Sequence, residues 1–223
     1  MITSLNQFTD IPTNVYIDMS HSYFTKNHNF VIEILNYIYP SATIINSTSP
    51  PPDTLIITES NFDTNFVGLA DERYTHYKFL RNLLLPSNCE TKYSKRIYIS
   101  REDSIYRRIL NEKEVMKHLE LYGFQKISLT NIPLLEQFAL FKNAEIIITV
   151  HGAALTNIIF CNQNTRVIEI NSDFLSTKLH FEDIANCFGF RYSRYTNTTV
   201  VHNHDMMAND LIVRDIESLT DFL

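Results

Sequence analysis

The sequence predicts an α/β protein with parallel sheets, organised as two halves. Three observations predict this. Short apolar strands alternate with helical patterns of about 8–15 residues for most of the chain, the rhythm of βαβ units. Runs such as Thr54–Thr58 (TLIIT) and Glu145–Val150 (EIIITV) are continuous and β-branched, as strands covered on both faces should be. A polar stretch, Pro86–Lys95, interrupts the rhythm and reads as a linker. The 223 residues, 44% hydrophobic and 20% charged, are enough to bury a core. The halves are taken as 1–90 and 91–223.

In the first half Val15–Asp18 reads as a strand and Phe30–Tyr39 as a helix stopped by Pro40. Ala42–Asn46 and Thr54–Thr58 read as strands, joined across a stiff Pro-rich connection. Asp71–Leu85 is a helix stopped by Pro86. In the second half Arg96–Ser100 is a strand. Asn111–Tyr122 is a helix with apolar Val115, Leu119 and Tyr122 and a C-terminal Gly123. Lys126–Leu129 is a strand, Leu134–Asn143 a helix, Glu145–Val150 a strand and Ala153–Phe160 a short helix. Val167–Ile170 is a strand, Leu179–Phe188 a helix stopped by Gly189, and Arg191–Tyr195 a strand. A short strand at Leu211–Arg214 and a short helix at Ile216–Leu223 complete the reading.

Composition narrows the function classes. The net charge of −6 lacks the basic excess of a nucleic-acid binder, so no nucleic-acid partner is expected. Three cysteines, Cys89, Cys161 and Cys187, stand far apart without C-x-x-C spacing, which argues against a zinc site and suits a reducing compartment. The N-terminus lacks the basic and apolar regions of a signal peptide, and no apolar run approaches the ~18 residues of a membrane span. A cytoplasmic location is therefore expected. The two sequons, Asn46-Ser47-Thr48 and Asn197-Thr198-Thr199, then read as accidental.

The chemistry concentrates where strands end. Ligands of open α/β sheets bind beyond the carboxyl ends of the strands. There the chain places His151-Gly152-Ala153-Ala154, followed by a helix whose N–H groups favour an anion. Small residues admit a ligand close to the backbone. The loop lacks G-x-x-x-x-G-K-[ST] and G-x-G-x-x-G, so it is neither a Walker loop nor the usual dinucleotide fingerprint. A tight strand–helix packing joint explains the same residues. Ser100-Arg101 ends an earlier strand, and Arg107-Arg108 follow. An arginine at a strand end can aim a bidentate guanidinium at phosphate; the later pair also fits a solvated helix face. Glu169, near a strand end, can accept from ribose hydroxyls or belong to a salt bridge. Tyr192 and Tyr195, alternating with Arg191 and Arg194, fit either a stacking face or a half-buried strand. His202, His204 and Asp205 read as a polar loop rather than a metal site.

"YISREDSIYRRILNEKEV", "LLEQFALFKNAEIIITVHGAALTNIIFCNQNTRVIEI" and "FEDIANCFGFRY" together resemble glycosyltransferase family 61. The ordered set is strand–Arg, R-R-x-x-N-E, G-F, E-Q, A-x-I-I-I, H-G-A-x-L-T-N and V-I-E-I, and it covers the second half. Ala154 stands where the family usually has glycine. The resemblance implies a GT-B-like fold: two Rossmann-like domains facing a cleft, with 1–90 on the acceptor side and 91–223 binding the nucleotide-sugar. It implies an inverting, metal-independent transfer from a nucleotide-sugar, UDP-linked by preference, to a hydroxyl of a glycan or oligosaccharide acceptor, with no cofactor. Arg101 would contact the diphosphate, and Arg107 is a further candidate for binding the nucleotide-sugar. His151, Gly152, Ala153, Thr156 and Asn157 would line its cleft, and Glu169 would sit near the ribose. No D-x-D metal signature follows a suitable strand. A base at the carboxyl end of the first strand is expected from Asp18 or His21, with His28 and Glu33 behind. The length is short for a GT-B enzyme and fits a trimmed version or one domain of a longer polypeptide. The competing expectation is a non-catalytic nucleotide-sugar-binding module. A hydrolase reading lacks its G-x-S-x-G.

Overall fold

The structure, a computed structural model, describes residues 14–17, 28–46, 56–57, 70–85, 90–172, 180–202 and 209–223. The chain divides into two compact units at Leu84/Leu85. The first unit holds β1 (Asn14–Ile17), α1 (His28–Ile38), β2 (Thr43–Asn46), β3 (Ile56–Ile57) and α2 (Ala70–Leu84). Its strands are parallel in the order β2-β1-β3, with Val15 opposite Ile44 and Tyr16 opposite Ile56. Val15, Leu35 and Leu84 are buried there.

The second unit carries β4 (Arg96–Ile99), α3 (Glu112–Glu120), β5 (Gln125–Ile127), α4 (Leu134–Asn143), β6 (Ile146–Val150), a 3-10 helix (Ala153–Phe160), β7 (Arg166–Ile170), α5 (His180–Phe188) and β8 (Arg191–Tyr195). These five strands form one parallel sheet in the order β5-β4-β6-β7-β8. Then come β9 (Thr198–Val201), β10 (Asp210–Val213) and a second 3-10 helix, Glu217–Phe222.

The central strands are buried on both faces, which is why IIITV is almost wholly apolar and why the one acidic residue of RVIEI, Glu169, is buried as well. Side-chain alternation divides the core. Ile146, Ile148, Val150, Ile168, Ile170 and Tyr98 pack with Val115, Met116 and Leu119 of α3 and with Leu211, Val213 and Leu219 of the tail. The opposite parity, Ile147, Thr149, Val167 and Glu169, points to the other face. There the 3-10 helix Ala153–Phe160 packs against both α4 and α5, with Phe138 on Phe160 at 3.9 Å between ring centroids. Each fully buried Ile or Val contributes about 1.5–3 kcal/mol. Gly123 and Gly189, with φ of 78° and 72°, turn the chain out of α3 and α5 as the helix-stop reading requires.

Two local details go beyond the expectation. The expected short helix Ala153–Phe160 is present and winds as a 3-10 helix. Its eight residues have no side-chain N-cap bond, and Thr156, Ile158 and Ile159 are β-branched, so little favours the wider α turn. Thr198–Val201, read as no element, pairs antiparallel with β10. The tail thus adds a hairpin to an otherwise parallel architecture.

Candidate active site

The strand order locates the site. Counted within the second unit, β5-β4-β6-β7-β8 is the doubly wound order 2-1-3-4-5. Its chain leaves β4 toward one edge and β6 toward the other. The loops after these neighbouring strands diverge, and the crevice between them is where such sheets bind ligands. Arg101 follows β4, and His151-Gly152 follow β6.

The two loops touch. A side-chain carbon placed on Gly152 would lie 2.6 Å from Arg101 Nη1 and 3.3 Å from Cζ. The missing side chain therefore makes room for a guanidinium before it makes room for a ligand. Arg101 is held by its own loop: Nε donates to the Tyr106 carbonyl at 3.3 Å and Nη2 to Ser104 Oγ at 3.0 Å. Both acceptors are neutral. Arg107 lies within electrostatic reach, in a left-handed backbone conformation (φ 54°), and its buried Nε has no hydrogen-bond partner. Burial pushes the Arg101 pKa down, and the charge of Arg107 pushes it further; the weaker pull of Asp103 opposes both. Burial alone lowers Arg107. Among the described residues neither guanidinium forms an ion pair with a carboxylate.

His151 is buried, with its backbone N–H bonded to the Ile170 carbonyl at 3.0 Å. Its Nδ1 meets Glu169 Oε1, and the Phe181 ring of α5 packs edge-on at 5.2 Å. Glu169 is fully buried, so it presents no oxygen to solvent. Its second oxygen accepts from Tyr192 Oη at 2.8 Å and Arg194 Nε at 3.2 Å. Arg194 also reaches Glu182 at 2.7 Å. Burial, then the charge of Glu169, raises the Tyr192 pKa, which keeps the phenol a donor. Glu169 thus touches His151 where a ribose contact was expected. A proton on Nδ1 facing Glu169 leaves Nε2 as the nitrogen for a ligand.

The remaining expected site residues divide. Ala153 and Thr156 are exposed on the 3-10 helix. Asn157 donates to Gln137 Oε1 at 3.1 Å, and Gln137 in turn donates to the carbonyls of Leu129 and Ile132 at 3.2 and 2.8 Å. The side chain of Asn157 ties the 3-10 helix to α4. Tyr195 is core, its hydroxyl donating to the Asp215 carbonyl, so it is no stacking platform. His202 lies near Asn209 at 3.4 Å, while His204 and Asp205 lie outside the described residues. Asp18 and His21, the expected bases, also lie outside them, as does the side chain of His28.

Several supporting residues were quoted in motifs but assigned no role. Glu112 Oε1 accepts from Ser100 Oγ at 2.8 Å and Tyr98 Oη at 3.0 Å, and Lys126 Nζ lies 2.7 Å from its other oxygen. Asp103 accepts from Ser128 and Thr130; burial would raise its pKa, but these hydroxyls prevail and lower it. Both clusters fix the strand end that presents Arg101. Of these residues only Glu112 falls within R-R-x-x-N-E, and nothing in that spacing points to Ser128, Thr130 or Lys126.

Substituting Gly152 by alanine tests the Arg101 contact. The colliding atom is the end of a flexible side chain, so Arg101 swings away at little cost to the fold. Stability is expected to hold within about 1 kcal/mol while the affinity of the crevice for an anion such as inorganic pyrophosphate falls roughly tenfold, because the Arg101 charge is displaced. Thermal melts and calorimetric titration check both.

The chain is 29% identical over 129 residues to the EGF domain-specific O-linked N-acetylglucosamine transferase of Drosophila melanogaster. The aligned part is 56% of this chain and 24% of that relative, so the chain spans only about a quarter of the relative's length. No helix among the described residues is long and apolar enough to cross a membrane. Residues 13–168, which include both loops of the crevice, match the family Glycosyltransferase 61, and the chain belongs to that glycosyltransferase family.

Proposed function

We propose that the chain transfers a sugar from a UDP-linked donor to a hydroxyl of a glycan acceptor, with inversion and without a metal. The crevice beyond β4 and β6 holds the departing diphosphate. One observation carries this reading: Arg101 and Arg107 lie within electrostatic reach of each other at the switch point, partly buried, with no carboxylate among the described residues paired to either. A guanidinium drawn from water without a counter-ion is unfavourable, and an incoming diphosphate relieves it.

The chemistry follows from charge. As the bond from the anomeric carbon to the β-phosphate oxygen breaks, negative charge collects on the diphosphate. Arg101 has two of its five donors committed to the loop, which leaves the Nη1 end for that charge. His151, oriented by Glu169, completes the wall with Gly152, Ala153 and Thr156. The acceptor hydroxyl attacks the opposite face, and its proton passes to a base, for which Asp18 and His21 are proposed. The proposal includes a GT-B arrangement with the first unit on the acceptor side. The relative's printed name puts N-acetylglucosamine first among donors to try.

Calorimetric titration with UDP and GDP, followed by turnover of UDP-sugars with and without acceptor, tests the reading. UDP binding that weakens in the Arg101→Ala variant is expected, and turnover that survives EDTA. Failure of both nucleotides to bind overturns it. Binding without any turnover favours the non-catalytic module, a reading the 24% coverage of the relative keeps in view. Asp18→Asn or His21→Ala should lose turnover with UDP binding intact; near-parental turnover in both removes the base assignment.

A further inference from the structure

The C-terminal hairpin lies beyond residue 168, where the family match ends, yet it grips the loop that carries Arg107. Segment 108–111 runs along β10. Leu211 N donates to the Arg108 carbonyl at 2.8 Å, Leu110 N to the Leu211 carbonyl at 2.8 Å, and Ile109 bridges Leu211 in parallel register. The Asn111 amide clasps Val213 from both sides, donating to its carbonyl at 2.9 Å and accepting from its N–H at 3.0 Å. Asp210 is fully buried. It accepts from the Arg108 N–H at 2.7 Å and from Arg108 Nη2 and Nε at 2.7 and 3.2 Å. These groups are about a hundred residues apart in sequence, so no local preference brings them together.

Arg107 immediately precedes the clamped residue and has φ of 54°. A side-chain-bearing residue in that region is strained and persists only where its surroundings hold it. The surroundings here are the clamp. We infer that Asp210 is a positioning residue: by fixing Arg108 it holds Arg107 left-handed and keeps its guanidinium beside Arg101. The hairpin thereby sets the affinity of the crevice for a diphosphate. This rests on the proposed reading of the crevice as the diphosphate site, and it assigns a role to a segment outside the family match.

A double-mutant cycle on the full chain tests it, with UDP and inorganic pyrophosphate as probes and a thermal melt of every sample. Arg107→Ala and Asp210→Asn are each expected to weaken binding about tenfold, the scale of one hydrogen bond to a charged group. The double variant is expected to bind no more weakly than Arg107→Ala alone, because Asp210 acts through Arg107. Multiplying losses, as two independent lesions give, would overturn the inference, as would parental affinity in Asp210→Asn. If Asp210→Asn does not fold, Arg108→Lys, which keeps the charge and loses the two-pronged contact, takes its place in the cycle with the same criteria. A parental chain that binds neither probe refutes the diphosphate site and the clamp with it. A parental chain that binds, and weakens in Arg101→Ala but not in Asp210→Asn, refutes the clamp alone.

Discussion

Replacing Arg101 by alanine is expected to lower the proposed sugar transfer by about 10²- to 10³-fold, the usual loss when one donor aimed at developing charge is removed. The same change should barely move the melting temperature. Among the described residues the guanidinium donates only to Ser104 Oγ and the Tyr106 carbonyl, in a loop where Tyr106 is 43% exposed and water can replace the donor. Burial and the neighbouring charge of Arg107 both disfavour the Arg101 cation, so removing it relieves repulsion as well as losing contacts. An effect on rate without an effect on stability is the mark of a group kept for a ligand. Lysine in its place should recover part of the rate: it restores a point charge without the planar fork that spans two phosphate oxygens. Initial rates beside calorimetric melts decide the matter. A rate within threefold of the parent, with saturating UDP-sugar, would mean that the diphosphate charge is met elsewhere.

The local grammar of the fold was legible in the residues. Unbroken runs such as Ile146–Val150 announce strands covered on both sides, and Gly123 and Gly189 announce helix ends. Strand order was not, because helix-and-strand alternation is compatible with several parallel orders; only the register of β4 with both β5 and β6 places the crevice between Arg101 and His151. The motif R-R-x-x-N-E shows why site roles were harder. Its adjacent arginines look alike in sequence, yet the charge of Arg107 acts on Arg101 while Arg108 pairs with Asp210, a partner set by a contact spanning about a hundred residues. Gly152 was legible as a point of close approach, but the approaching group proved to be Arg101. Glu169 shows a different difficulty. A carboxylate near a strand end has the same sequence signature whether it faces a ribose or joins a salt bridge, and of the two readings the register beside Arg194 on β8 displays the salt bridge.

That register makes Glu169 the most consequential buried charge in the second unit. Substitution by glutamine is expected to destabilise the fold by about 3–5 kcal/mol, the range for removing one partner of a buried charged cluster. The size matches. The charge does not: glutamine keeps one acceptor but turns an NH2 group toward His151, or toward Tyr192 and Arg194, all of which donate to the carboxylate. Arg194 retains Glu182 at 2.7 Å, so it is left half-compensated rather than bare. This predicts a partial rescue. Glu169→Gln with Arg194→Gln should recover a substantial part of the loss, because removing both members of a buried pair costs less than stranding one. The proposed turnover should remain depressed in the double variant even as stability returns, since a neutral amide, even with its oxygen toward Nδ1, holds the His151 ring less firmly than the carboxylate does. Chemical denaturation of the four proteins, with rates measured on each, separates the two effects. If rate and stability instead rise together in the double variant, Glu169 acts only as part of the core and not through His151.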